Sequence, residues 1–299
     1  MTLRCSSKST QFWRKRPRSS GCGGMIRVDL HTHSTFSDGA LSPERLAALG
    51  KKRGVSVMSL TDHDTTEGLP RFLAACRKLG IRSVPGIELS AEFPSTLHIL
   101  GYRIDPSDRR LEEALTAIRR ARDIRNARIC EKLQSLGIDV SLEEVEAEAG
   151  GEVAARPHFA RIMIRKGYVK DHRTAFSLYL GRSGKAYASR ERLLPEDCIR
   201  LVREAGGVAV MAHPVETSAS YEKIRSVAGR LKEAGLWGME CYTSKHNSEQ
   251  VFRYLSIASD LGLFPTAGSD FHGGPGPAPP PGIRVPAGMI PWARLGVSL

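Results

Sequence analysis

The sequence predicts an α/β fold: a closed or nearly closed barrel interrupted once by a helical insertion. Three observations predict it. Short apolar runs alternate with amphipathic stretches, the alternation breaks between residues 106 and 185, and it then resumes. Alternating strand and helix implies a mainly parallel sheet, and the number of units suits closure into a barrel.

Taken in order, "MIRVDLHTHS" from Met25 reads as a buried strand. "SPERLAALGKKRG" follows as a helix, with Ser42 as N-cap and Pro43 at its first position. "VSVMSLTDHD" is the next strand, and "LPRFLAACRKLG" a helix closed by Gly80. "RSVPGIELSAEF" and "LHILGYRI" are two further strands. The insertion opens with a long helix from Asp108 to Leu136 that stops at Gly137. Three helix–strand pairs then follow: "PEDCIRLVREAGG" with "VAVMAHP", "YEKIRSVAGRLKEAG" with "WGMECYTS", and "SEQVFRYLSIASDLG" with "FPTAGSDFHG". The expected organisation is a barrel in two parts, 25–105 and 186–275, around a helical insertion, 106–185. Residues 276–299 form a Pro/Gly-rich C-terminal segment expected to be irregular surface chain.

Composition narrows the function classes. A chain of 299 residues with 41% hydrophobic content can bury a full core. No apolar run approaches the roughly 18 residues of a membrane span, so no membrane association is expected. Half of the net charge of +12 sits in residues 1–24, where Arg4, Lys8, Arg14, Lys15, Arg16 and Arg18 face no acid. This extension lacks the continuous apolar stretch of a secretion signal and is expected to be disordered. The remaining basic excess suits a phosphate-bearing substrate without demanding one. The six cysteines are scattered with no CxxC pair, which argues for reduced thiols in the cytoplasm.

The chemistry lies at strand ends. "HTHS" places His31 and His33 on one face of an extended segment, with Asp38 in the loop just after. "TDHD" adds His63 between Asp62 and Asp64. "PGIELS" supplies Glu88, "LHIL" His98, "MAHP" His213, and "GSDFH" Asp270 and His272. In parallel α/β folds the C-terminal strand ends converge on one rim, so these groups can meet. A single histidine on an apolar strand is usually a hydrogen-bonded core residue. The joint pattern excludes that reading here, because six of the nine histidines share strand ends with three carboxylates. Burying that many ionisable groups without a cation is prohibitively expensive. Imidazole and carboxylate without thiolate favour Mn, Fe or Zn over Mg or Ca. Nine ligands exceed the needs of one ion; shared among two or three divalent ions, they suit phosphate-ester hydrolysis by metal-activated hydroxide.

With "HTHSTFSDG", "TDHD", "GIELS", "AHP" and "GSDFHG" in order, the chain resembles the polymerase-and-histidinol-phosphatase (PHP) family over about residues 26–104 and 186–273. The resemblance implies a distorted seven-stranded β/α barrel with a trinuclear site. It implies one metal on His31, His33, Glu88 and Asp270, and a second on Glu88, His98 and His213. The third falls on Asp38, His63 and His272. The insertion, through "RDIRNARICEKLQSLGI" and "RPHFARIMIRKGYV", is similar to that of bacterial members hydrolysing nucleoside 3′,5′-bisphosphates and trimming short RNA from its 5′ end. Histidinol phosphatases of the family lack such an insertion there.

The insertion adds a hint of its own, which turns to phosphate only beside a phosphatase site. Leu111, Leu115, Ile118, Ile129, Leu133 and Leu136 form an apolar seam at helical spacing, with Arg122 and Arg125 inside it. Such arginines are either in buried ion pairs or facing a ligand. Arg156 and His158 are further substrate-binding candidates, against helix capping or packing. Asp62 and Asp64 are candidates to orient a ligand histidine through its second nitrogen, against a local turn role. The leading expectation is a phosphoesterase acting on a nucleotide or short RNA, with no obligate protein partner. The alternatives are a small-metabolite phosphatase, such as one for histidinol phosphate, and a nucleic-acid-associated accessory domain.

Overall fold

The computed structural model describes residues 24–150, 154–190, 192–273 and 280–299. The basic extension, save Gly24, lies outside the described residues, as do Cys5 and Cys22. The barrel strands are β1 (Met25–Asp29), β2 (Val57–Leu60), β3 (Arg82–Ser90), β4 (His98–Tyr102), β5 (Val208–Met211), β6 (Gly238–Tyr242), β7 (Phe264–Ala267) and β8 (Ile283–Pro286). They form one sheet in the order β7-β6-β5-β4-β3-β2-β1-β8.

Backbone bonds beyond β1 and β7 bring the ends of the sheet together. Leu30 N–H donates to Ala267 O at 2.9 Å, His33 N–H to Phe271 O at 2.9 Å, and Asp270 N–H to His31 O at 2.9 Å. The first seven strands thus nearly close a barrel at one rim, while β8 pairs antiparallel with β1 lower down. The C-terminal segment departs from the expected irregular surface chain. Val285 is buried in the barrel together with Trp292, Leu295 and Val297. Ile283 and Val285 stand singly between Gly282, Arg284 and Pro286 and make no run that reads as a strand; pairing with β1 makes them one.

Strand direction is not uniform. β4 runs antiparallel to both β3 and β5. Residues 91–97 between β3 and β4 are too few for a parallel crossover, which needs a dozen or more. His98 therefore starts its strand at the rim where β3 ends.

Period-two alternation separates two cores. Ile87, Leu89, Ile99, Met211, Met239 and Cys241 face the covering helices. Val57, Val84, Leu100 and Val210 face inward. Glu88 and Glu240, each between two outward-facing apolar residues, consequently point inside.

The helices follow their local signals. α1 (Pro43–Lys52) is capped by Ser42, whose hydroxyl accepts from Arg45 N–H. α2 (Leu69–Leu79) ends at Gly80, whose φ of 66° is free of strain only for glycine. α3 (Arg109–Ser135) starts at Asp108, whose carboxylate accepts from Leu111 N–H. Its 27 residues span about 40 Å, so it links two cores. Leu111, Leu115 and Ile118 pack with the barrel helices. Ile129, Cys130 and Leu133 pack in a separate cluster. That cluster also takes residues from α4 (Leu142–Ala149), α5 (Arg156–Arg165), α6 (His172–Ala175) and the π-helical turn Phe176–Leu180. α7 (Pro195–Glu204) returns the chain to the barrel. α8 (Pro214–Thr217), α9 (Tyr221–Glu233) and α10 (Ser248–Leu261) complete the cover. No helix among the described residues is long and apolar enough to cross a membrane.

Candidate metal centre and arginine-lined cavity

All nine sequence-predicted strand-end groups meet at the closed rim, and Glu88 is their hub. Its Oε2 lies 3.2 Å from His31 Nε2, 3.2 Å from His33 Nε2 and 3.1 Å from His63 Nδ1. Its Oε1 lies 2.9 Å from His98 Nδ1 and 3.1 Å from His213 Nε2. Asp270 Oδ1 is 3.2 Å from His31 Nε2 and 3.1 Å from His33 Nε2. Asp38 approaches His272 Nε2 at 3.2 Å and His63 Nε2 at 3.8 Å. Gly268 permits the close approach of β7 to β1, because a Cβ there would fall 2.2 Å from His31 Cβ.

Three subsets could each hold a metal ion: His31, His33, Glu88 and Asp270; His63, Glu88 and His98; and His33, Asp38, His63 and His272. The donor atoms fit that use. His31 Nε2, His33 Nε2, His63 Nδ1 and Glu88 Oε2 are buried without a hydrogen-bond partner, although they converge. An unpaired buried polar atom costs about 1–3 kcal/mol, so four together call for an occupant. The field favours a cation. Burial lowers the His33 pKa, yet the Asp270 and Glu88 carboxylates lift it to about 10. Burial likewise opposes ionisation of Glu88, yet His63, His31 and His98 hold its carboxyl well below the usual range.

Strained backbone gathers at the same place. Among the described residues four non-glycines have positive φ, and three of them are Asp64, His213 and Asp270. Such conformations persist where surrounding contacts over-determine them.

The carboxylate expected to steady a ligand imidazole is neither Asp62 nor Asp64. Glu240 takes that place: Oε1 lies 3.1 Å from His31 Nδ1, and Oε2 accepts from His213 N–H at 2.8 Å. Asp62 instead accepts from Ser34 N–H, the Ser34 hydroxyl and the Ser37 hydroxyl at 2.6–2.7 Å. Ser37 Oγ is in turn 3.4 Å from His33 Nδ1, so Asp62 is two bonds removed. Asp64 turns to the arginines. Local spacing places both aspartates beside His63, but Asp62 turns to Ser34 and Ser37, and Asp64, on a left-handed turn past the end of β2, to Ser90 and the arginines. No motif marks Glu240 in the sequence, and its one signal there is that of a lone acid inside the apolar run "WGMECYTS".

Lys245, in the polar stretch after that run, has no sequence signal. Its Nζ lies 2.5 Å from Asp270 Oδ2 and pairs with Glu216 Oε1. Glu216 Oε2 sits 3.4 Å from His213 Nδ1. One lysine thus ties together the loops after β5, β6 and β7.

A cavity of about 470 Å³ opens from this rim, and its lining includes Asp38, His63 and His98 from the rim and Arg122, Arg125, Arg156, Arg190 and Arg192. Arg122 is paired and also lines the cavity, being bound to Asp64 with Nε left unpartnered. Arg125 gives one bond to Asn126 Oδ1 at 3.1 Å. Burial, then the guanidiniums of Arg190, Arg122, Arg156 and Arg192, push its pKa down to about 8. Arg156 donates to Leu180 O at 3.0 Å and lies over the Phe176 ring. Arg190 and Arg192, which no periodicity marks in the connection before α7, add further buried donors without partners. His158 is a correction. It is buried outside the cavity lining, and its Nδ1 accepts from Ala155 N–H at 2.9 Å, closing the start of α5. Its spacing to the helix start, not a ligand, explains it.

A rim of imidazoles and carboxylates opening onto buried guanidiniums defines a hydrolase of phosphoric esters. The PHP domain profile matches residues 29–146. The chain is 35% identical over 254 residues to a 3′,5′-nucleoside bisphosphate phosphatase of Chromobacterium violaceum, covering 83% of this chain and 88% of that protein. It is 33% identical over 277 residues to a 5′-3′ exoribonuclease of Haemophilus influenzae, covering 91% and 94%. A solved amidohydrolase structure from Chromobacterium violaceum, with bound sulfate and no metal, superposes with a TM-score of 0.82 at 33% identity, covering 90% of this chain and 95% of that one. The chain belongs to the PHP family of metal-dependent phosphoesterases.

Proposed function

We propose that the enzyme hydrolyses a phosphate ester of a nucleotide carrying a second phosphate: a 3′,5′-nucleoside bisphosphate or the 5′ end of a short RNA. One observation carries this reading. A single cavity joins the imidazole–carboxylate rim to buried guanidinium donors that lack partners. The activities for which the Chromobacterium and Haemophilus relatives are named support it. A small metabolite with one phosphate would leave the arginine donors unpaired in a buried site, at a cost of about 1–3 kcal/mol each.

His31, His33, Glu88 and Asp270 would hold one divalent ion, Glu88 with His98 and His213 a second, and Asp38, His63 and His272 a third. Bound there, the ions supply Lewis acidity toward phosphoryl oxygens and activate water at neutral pH. A donor set without thiolate suits manganese first, then iron or zinc. The chain's own residues do the rest. Glu240 fixes the His31 tautomer so that Nε2 faces the rim. Arg122, Arg125, Arg156, Arg190 and Arg192 hold the distal phosphate, for which planar guanidinium forks are matched. The insertion, 106–185, together with Arg190 and Arg192 in the chain that returns from it, therefore sets substrate choice, while the barrel of 25–105 and 186–275 supplies the reacting centre. The described cysteines Cys76, Cys130, Cys198 and Cys241 are free and buried, in keeping with a cytoplasmic enzyme.

Phosphate release from manganese-loaded protein across nucleotides, 3′,5′-bisphosphates, short RNAs and histidinol phosphate is the direct test. Bisphosphate or 5′-phosphorylated RNA should rank first, and a preference for simple monoesters refutes the reading. Elemental analysis should find more than one transition-metal ion per chain. Lys245→Met should lower metal affinity about tenfold through a loosened Asp270. Competition with a chelator measures it, and unchanged affinity would leave Lys245 no part in holding the ligand.

A further inference from the structure

Asp64 stands beside His63 yet takes no place in the metal cluster. Its backbone is left-handed, with φ 56°, and its N–H donates to Glu88 O at 2.9 Å. Its carboxylate is almost wholly buried and fully engaged. Oδ1 accepts from Ser90 N–H at 3.0 Å. Oδ2 accepts from the Ser90 hydroxyl at 3.2 Å, from Arg190 Nη2 at 3.1 Å and from Arg122 Nη2. The barrel thus clamps the carboxylate, and the carboxylate clamps two guanidiniums from distant parts of the chain. One comes from α3 and the other from the connection before α7. Both line the cavity, and each keeps buried donors without partners: Arg122 Nε, and Arg190 Nε and Nη1.

We infer that Asp64 is a positioning residue for substrate choice: it sets the distance between the metal rim and the site for the distal phosphate. Its charge is insufficient to neutralise the cluster, since one carboxylate faces two guanidiniums and the strongest charge effects on neighbouring Arg125 come from other arginines. The surplus positive charge remains for an anion. Its geometry is what matters. Asp64 and Glu88 are joined through the backbone, so the direction of both arginine forks is referenced to the hub of the rim. A substrate with two phosphates at the matching separation engages both ends at once, and a simple monoester gains nothing from the far end.

This inference rests on the proposed bisphosphate reading, and the experiment separates the two. The full-length, manganese-loaded protein is assayed with adenosine 3′,5′-bisphosphate and p-nitrophenyl phosphate, comparing wild type, Asp64→Asn and Asp64→Glu. Binding of the bisphosphate to metal-free protein is followed by calorimetry, and folding by urea denaturation. Asp64→Asn is expected to lower the bisphosphate-to-aryl-phosphate ratio of kcat/KM about tenfold or more, chiefly through KM. Calorimetric affinity should weaken in parallel. Asp64→Glu keeps the charge but shifts the forks by a methylene, and should lower the ratio severalfold. In an Arg122→Ala, Arg190→Ala background Asp64→Asn should have no further effect on the ratio. If wild type itself shows no preference for the bisphosphate, the functional reading fails. If wild type prefers it but the Asp64 variants keep that preference, the positioning role is overturned. Loss of folding in both Asp64 variants, with the double arginine variant folded, would make the carboxylate a stabilising residue only and also overturn it.

Discussion

Replacing Glu88 with glutamine should cost the enzyme on the order of 10³-fold in kcat/KM, which corresponds to about 4 kcal/mol. No other side chain at the rim faces so many partners. Five imidazoles lie within 3.2 Å of its two oxygens, from β1, β2, β4 and β5 or the loops just after them. Glutamine keeps the shape but removes the negative charge and turns one oxygen into a donor aimed at those rings. Metal content should fall with activity, because the carboxylate belongs to two of the three subsets able to hold an ion. Elemental analysis alongside turnover checks both. Full metal content together with full turnover would remove Glu88 from its bridging place.

Arg125→Met should act in opposite directions on function and on stability. Arg125 is buried, and its charged neighbours are other arginines. Turnover of a 3′,5′-bisphosphate should fall about tenfold to a hundredfold, the worth of one charge-assisted contact. The unliganded protein should become more stable by on the order of 1 kcal/mol, since an uncompensated buried charge is exchanged for an apolar side chain. The pH sign follows. The folded pKa is depressed to about 8 from the ordinary 12.5, so above about 8 the unfolded chain binds more protons. Stability of the wild-type apoprotein should accordingly rise with pH above 8, with the penalty fully present below it. Sulfate or bisphosphate binds the native state only and should raise the melting temperature, more in wild type than in Arg125→Met. Denaturation at pH 7 and pH 10, with and without sulfate, measures these effects, and a less stable Arg125→Met apoprotein would show that the guanidinium is satisfied within the fold.

Much of this was legible in the chain itself. Strand and helix periodicity, Ser42, Asp108 and Gly80 fixed the main elements, because each depends on neighbours a few residues away. The nine rim groups were readable because each lies in or beside a short motif at a strand end, and strand ends in such folds share a rim. Arg122 and Arg125 were visible as charges inside an apolar seam. Less was readable where a residue's partner is remote. β8 depends on pairing with β1, more than 250 residues away. Glu240 gains its meaning from His31 and His213 across the barrel, and Asp64 from Arg122 and Arg190 on separate segments. His158 exchanged a ligand role for a cap at its own helix start.

The sequence by itself determined the barrel's elements and the donor set, since periodicity and motif spacing are local properties of a chain. Only the tertiary structure decided which carboxylate steadies which imidazole and which arginines face the cavity. Those contacts are set by strand direction, register and burial, and these exist only once distant segments have packed.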